Sequence, residues 1–273
     1  MIRRVVTALA VCLLVVVPAT AQTVDEIVAR NIEAKGGLAR LQAVQTVRMR
    51  ITTRMALGGP PMVVGDVDRR DAQSGMHDTP TGQSQIQAIL EAKRPNLWCS
   101  TSRATINQTS QTESSNLGVT MIAGFDGTTA WRISPQGRVE TVPNADSWRA
   151  FALLEGPLID YQAKGNRVEL DGKAKADGKD CHKLRVTSKN GDVLTVYIDA
   201  TSYLDVMIDT KTKTTPMTVR QVFRDWKPVD GVLVAHTTLI TRGSFPSQRA
   251  TIDKVEFNVP IDDSHFARPT AIK

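Results

Sequence analysis

The chain has little of what active sites are built from. Its four histidines, His77, His182, His236 and His265, lie far apart, and no two have the i, i+4 spacing of a helical zinc site. Cys181 and His182 are adjacent, so on a strand they point to opposite faces and cannot readily share a metal. There is no Gly-x-Ser-x-Gly elbow, no phosphate-binding glycine loop and no dinucleotide fingerprint. Asp205 and Asp209 read as ordinary carboxylates of a solvated strand face. No catalytic residue, metal-ligand set or cofactor is therefore expected, and an exported hydrolase ranks last among the functional readings. The basic residues are scattered without a Lys/Arg block or aromatic interleaving, which argues against nucleic-acid binding. Past residue 21 no apolar run is long enough to cross a membrane.

What is present begins with an export leader. Arg3 and Arg4 precede an apolar run from Val5 to Val17, and Ala19-Thr20-Ala21 supplies the small residues of a cleavage site. The run is shorter than the ~20 residues of a permanent span. Cys12 lies inside it after Val11, so no lipid-attachment cysteine sits at the cleavage point. The expected organisation is a signal peptide over residues 1–21 and one domain over 22–273, a soluble periplasmic protein and a monomer. Removing Arg3 and Arg4 takes the formal charge from +6 to +4, a balance compatible with anionic membrane surfaces. Cys99 and Cys181 remain: an even pair in an oxidising compartment invites a disulfide, and two separately buried thiols are the other reading.

Thr23-x-x-Glu26 is a capping box, and Val24, Ile27, Val28 and Ile32 recur at helical spacing. Gly36-Gly37 ends this helix, and Leu38, Leu41 and Val44 suggest a short second one. Val47, Met49 and Ile51 then alternate with polar residues, the mark of a half-buried strand. Further strands are predicted over 62–67, 86–91, 96–103, 119–125, 129–134, 138–142, 167–170, 181–188, 193–199, 204–210, 217–226, 232–242 and 250–259. The stretch 71–82 reads as a loop, 102–116 as a polar strand pair or a loose loop, and 173–179 as a connector. Trp148, Phe151, Ala152 and Leu154 suggest a short helix within 146–160. Asn190-Gly191 and Asp230-Gly231 favour hairpin turns. Strands joined by short turns pair antiparallel. The fold class is mainly β (α+β): a single curved antiparallel sheet forming an open, incomplete barrel, with helices covering its concave face.

Two windows, Ala92-Lys93-Arg94-Pro95-Asn96-Leu97-Trp98 and Phe125-Asp126-Gly127-Thr128-Thr129-Ala130-Trp131, resemble the periplasmic outer-membrane lipoprotein carrier and sorting family. The stretch from Phe257-Asn258-Val259-Pro260 to Phe266-Ala267-Arg268-Pro269 is similar in style to that family's closing strand and tail. The resemblance implies an apolar cavity that takes the acyl chains of a lipoprotein or related lipid. It also implies an inner-membrane donor complex and an outer-membrane acceptor. The family's functional arginine falls on Arg94 and its aromatic residue on Trp98. An arginine beside a proline-marked strand start can hold a lid helix by its backbone carbonyls, closing the empty cavity. Leu97, Met49, Ile51 and Leu90 are the other candidates for the lining. The same fold serves lipoprotein receptors and lipid-sensing regulators of envelope stress, so a sensing and interaction module is the alternative function.

Overall fold

The computed structural model describes residues 22–57, 82–109, 114–134, 136–142, 156–211, 217–243 and 247–270. Helix α1 (Val24–Ala34) starts at the capping box: Glu26 N–H donates to Thr23 Oγ1 at 3.2 Å, and Thr23 N–H donates to Glu26 Oε2 at 3.0 Å. It ends at Gly36-Gly37, and α2 (Leu38–Ala43) follows. Among the described residues thirteen strands come next: β1 (Thr46–Leu57), β2 (Gly82–Lys93), β3 (Leu97–Thr109), β4 (Ser114–Phe125), β5 (Ala130–Ile133), β6 (Val139–Thr141), β7 (Arg167–Ala176), β8 (Lys179–Thr187), β9 (Val193–Asp199), β10 (Asp205–Lys211), β11 (Val219–Val229), β12 (Val232–Arg242) and β13 (Gln248–Phe257). Asp263–Phe266 adds one short helical turn in the C-terminal tail.

All pairings are antiparallel and form one curved sheet, an open and incomplete barrel. β1 to β6 run as one meander and β7 to β13 as another. The seam between them is β1 on β13, with Val47 opposite Phe257 and Met49 opposite Val255. β6 and β7 form the two edges.

The two helices lie on the concave face. Ile27 and Val28 of α1 pack on Leu184, Val186, Val196, Ile198 and Ile208 of β8, β9 and β10. Leu41 of α2 packs on Val47, Met49, Val232 and Val234 of β1 and β12, with Ile159 from the turns at 156–165 ahead of β7. A buried polar knot fixes α1. Asn31, 1 % exposed, donates to Tyr203 O at 2.7 Å and Asp205 Oδ1 at 3.0 Å, and Lys35 Nζ lies 2.5 Å from Asp205 Oδ2. Gly36 has φ 121°, and a Cβ there would stand 2.4 Å from Gly231 O, so only glycine lets the interhelix turn sit on the β11–β12 hairpin.

The tail crosses the convex face instead. Ile261 and Phe266 cover Cys99 and Trp131, and Trp131 Nε1 donates to Phe266 O at 3.1 Å. Gly124 makes room for that indole: a Cβ would lie 2.6 Å from its ring.

Several expectations change. Residues 102–109 and 114–116 are the paired alternative, within β3 and β4, and 110–113 lie outside the described residues. β7 runs through 173–176, and the turn is Asp177-Gly178, both at positive φ, so the expected connector is mostly strand. Residues 156–160 form turns rather than helix, with Leu158 and Ile159 buried. The rest of the 146–160 helix, the 62–67 strand, nearly all of the 71–82 loop and the 1–21 leader lie outside the described residues. Cys99 on β3 and Cys181 on β8 are free, buried thiols in separate clusters, which is the second of the two readings and not the bridge. Among the described residues no helix is long and apolar enough to cross a membrane.

Candidate functional site

The concave face between β13 and β5 is built from alternating residues that register brings into rows. One row runs Phe257, Val47, Ala92, Trp98, Phe125, Ala130 across six strands. The next runs Val255, Met49, Leu90, Ser100, Ala123, and a third Ile252, Ile51, Ala88, Ser102, Met121. The first row is largely buried, with Trp98 at 3 % exposure. Exposure rises along the strands: Ile51, Ala88 and Ile252 are half-buried, and Met121 is 41 % exposed. The result is an apolar trough, closed at one end by α2 and open beyond it. From Val47 to Met55 it measures about 27 Å at ~3.4 Å per residue. Its far end is polar, where Arg242 Nη1 donates to Gln248 Oε1 at 2.8 Å.

Arg94 stands at the closed end. Its Nε donates to Val44 O at 2.7 Å and its Nη2 to Leu41 O at 2.9 Å. These carbonyls belong to the C-terminal end of α2, where no further turn exists to satisfy them. A cation there also meets the negative end of the helix. Burial lowers the Arg94 pKa, and the charge of Asp160 opposes this. Asp160 also accepts from Gln42 Nε2 at 3.3 Å, so α2 is held on two sides. Lys164 shares the locality: burial lowers its pKa, Asp160 raises it, and Arg94 lowers it further. Near the end of α2 an open groove of about 800 Å³ is lined by Ala43, Gln45, Thr46, Lys93, Asn258 and Ile261, among others.

The sequence-predicted residues divide between the two faces. Met49 lies beneath α2, Ile51 and Leu90 flank it, and Trp98 forms a cluster with Ala92, Phe125 and Ala130. Leu97 does not join them. Strand alternation beside Trp98 sends it to the convex face, where it packs with Cys99, Trp131, Ile261 and Phe266 under the tail. Cys99 shares that side, and burial together with the Glu91 charge pushes its thiol up to about 11, so it is protonated and inert at neutral pH. Sequence reasoning missed Leu41, Asp160 and Met121. Leu41 had a helical-spacing signal; Asp160 and Met121 become site residues only through long-range packing and register. Among the described residues, no three His, Cys, Asp or Glu side chains are grouped to hold a metal ion.

The open, curved antiparallel sheet with few helices is a lipoprotein-carrier-like fold, and solved structures share it. A LolA superfamily protein from Nitrosomonas europaea superposes with a TM-score of 0.52, over 90 % of this chain and 98 % of that one, at 8 % identity. A DUF1329 family protein from Desulfovibrio piger superposes with a TM-score of 0.51, over 89 % and 97 % of the two chains, at 11 % identity. No protein-family model and no curated protein matches the sequence. The likeness is one of fold.

Proposed function

We propose that this protein is a soluble periplasmic carrier that takes up the acyl chains of a lipoprotein or related lipid and releases them at the outer membrane. The observation that carries this reading is the latch: Arg94 grips two carbonyls, Leu41 O and Val44 O, at the C-terminal end of a short helix that stoppers an apolar trough. α2 has six residues, too few to be stable alone, so its position depends on Leu41 and on this grip. Lifting it uncovers Met49, Leu90 and the row beneath. Each methylene buried there contributes about 0.8 kcal/mol. Loss of the Arg94 bonds and of Leu41 packing opposes that gain, which keeps binding reversible. Under this reading residues 1–21 are a cleaved leader, the cargo comes from an inner-membrane donor, and an outer-membrane acceptor receives it.

The test is to purify the exported form from the periplasm of an expressing bacterium, extract it with organic solvent, and identify bound lipid by mass spectrometry. An apolar fluorescent probe is then titrated into the stripped protein. Co-purified acyl lipid and saturable probe uptake that lipid displaces are the expected results. A lipid-free protein that takes up no probe would refute the carrier. A stable complex with a membrane-spanning regulator, formed without cargo transfer, would assign the fold to sensing.

A further inference from the structure

Basic residues that are scattered in sequence converge on the convex face. Alternation along β1 sends Arg50 and Arg54 to the side opposite Met49 and Ile51. Register sets Lys254 directly opposite Arg50 and Arg249 directly opposite Arg54 on β13, and Arg103 of β3 lies two strands away on the same face. All five are exposed. Glu256 pairs with Lys254 at 2.8 Å, and Glu91 pairs with Arg48 at 2.7 Å. Asp253 also lies on this face and accepts from Thr52 Oγ1 at 2.7 Å, but among the described residues no carboxylate forms an ion pair with Arg50, Arg54, Arg103 or Arg249. Ile89 on β2, facing Arg50 across the pair, is 43 % exposed in their midst.

Like charges directly opposite each other weaken a sheet. The Arg54–Arg249 pair, four positions along β1 from the Arg50–Lys254 pair that Glu256 partly offsets, is a local loss of stability that nothing in the fold requires. An external anion would relieve it. The patch spans roughly 15 Å across the strands and 14 Å along them. That is comparable with the ~10 Å screening length, so the cations act as one field. Strands β13, β1, β2 and β3 are all interior to the sheet, so a peptide cannot add to them as a further strand. Nor does the patch form a pocket for a single anion. Long, exposed basic side chains around an exposed isoleucine match the two terms of interfacial binding, charge attraction and shallow apolar insertion.

We propose that this convex face docks the protein on an anionic phospholipid bilayer. It lies on the other side of the sheet from the trough, so it goes beyond lipid carriage and its test reads no cargo.

The test is co-sedimentation of the exported protein with vesicles of phosphatidylcholine alone or with increasing phosphatidylglycerol. Binding is expected only to the anionic vesicles and falls as salt rises. Arg54→Gln with Arg249→Gln should weaken it about 25-fold, at about fivefold per arginine. The paired control, Arg138→Gln with Arg185→Gln, removes equal charge elsewhere and should retain binding. Relief of the opposed pair predicts a melting temperature at or above wild type for the first variant. Should that variant fold poorly, Arg103→Gln provides the same readout, with about a fivefold loss. Equal losses in patch and control variants, equal binding to neutral vesicles, or no binding to vesicles would each overturn the proposal. Capture by polyglutamate without vesicle binding would overturn it too, in favour of an acidic protein partner.

Discussion

Replacing Arg94 by leucine separates a latch from a structural arginine. The change removes both bonds to α2, those to Val44 O at 2.7 Å and Leu41 O at 2.9 Å. A hydrogen bond with one charged partner is worth about 1.5–3 kcal/mol. Arg94 is half-buried at a rim, and water can reach the released carbonyls, so the lower end applies to each bond. The pair then contributes about 3 kcal/mol, which is ~150-fold in the docking equilibrium of α2. Amide hydrogen exchange reads this directly. Protection at Leu41, Gln42 and Ala43 should fall by about two orders of magnitude at that energy. The amides of Leu184 and Val196, in the core under α1, should keep theirs. Under the proposed carrier function, cargo uptake should persist while transfer to an acceptor slows, because the latch that would favour the closed empty state is weakened. Equal loss of protection across α2, β8 and β9, with transfer falling only as stability falls, would refute the latch.

Three further outcomes follow from the same geometry. Gly124→Ala drives a Cβ to within 2.6 Å of the Trp131 ring, so it should destabilise the tail docking by about 1–3 kcal/mol, seen as faster proteolysis after Phe257. An unchanged digestion pattern would count against the tight packing. Asp205→Ala leaves Lys35, 12 % exposed, without its carboxylate, and should cost about 3–5 kcal/mol in urea unfolding; a loss under about 1 kcal/mol would show the pair to be solvated. Burial of Asp199 on its own would raise its pKa, but bonds from Lys179 and from the Thr201 and Ser202 N–H groups outweigh it and hold the carboxyl at about 2. That folded value lies below the unfolded one, so the stabilisation, about 2 kcal/mol, is complete above about pH 4 and disappears as pH falls to about 2. Asp199→Asn should therefore melt below wild type at pH 6, with the gap closing in acid; a gap independent of pH would refute this.

Local chemistry made much of the fold legible. The Thr23–Glu26 capping box, the alternation of Val47, Met49 and Ile51, and the hairpin dipeptides each act over a few residues, and the structure keeps all three. Arg94 was found through its proline-marked window, and the structure shows it donating to carbonyls at the end of α2. Leu97 was misplaced because the motif was read as one unit, whereas neighbouring strand residues face opposite sides. The Asp177-Gly178 turn was hidden among lysines, Lys173, Lys175 and Lys179, that resemble a solvated loop but line a hairpin. The convergence of Arg50, Arg54, Arg103 and Arg249 depends on register between strands up to two hundred residues apart. No window of sequence contains it.

The seam between β1 and β13 bears on how the chain acquires its shape. Each meander is made of neighbours in sequence and can form as soon as its own residues are available. The seam cannot, because Val47 must wait for Phe257. Contacts of such long separation form late, since the loop they close is entropically costly. A chain delivered from its N-terminus therefore carries the rim of β1, including Met49 and Ile51, unpaired on one side until almost all of it has emerged. The apolar floor of the trough is thus completed last, and a bystander that shields this strand edge would be most useful in that interval.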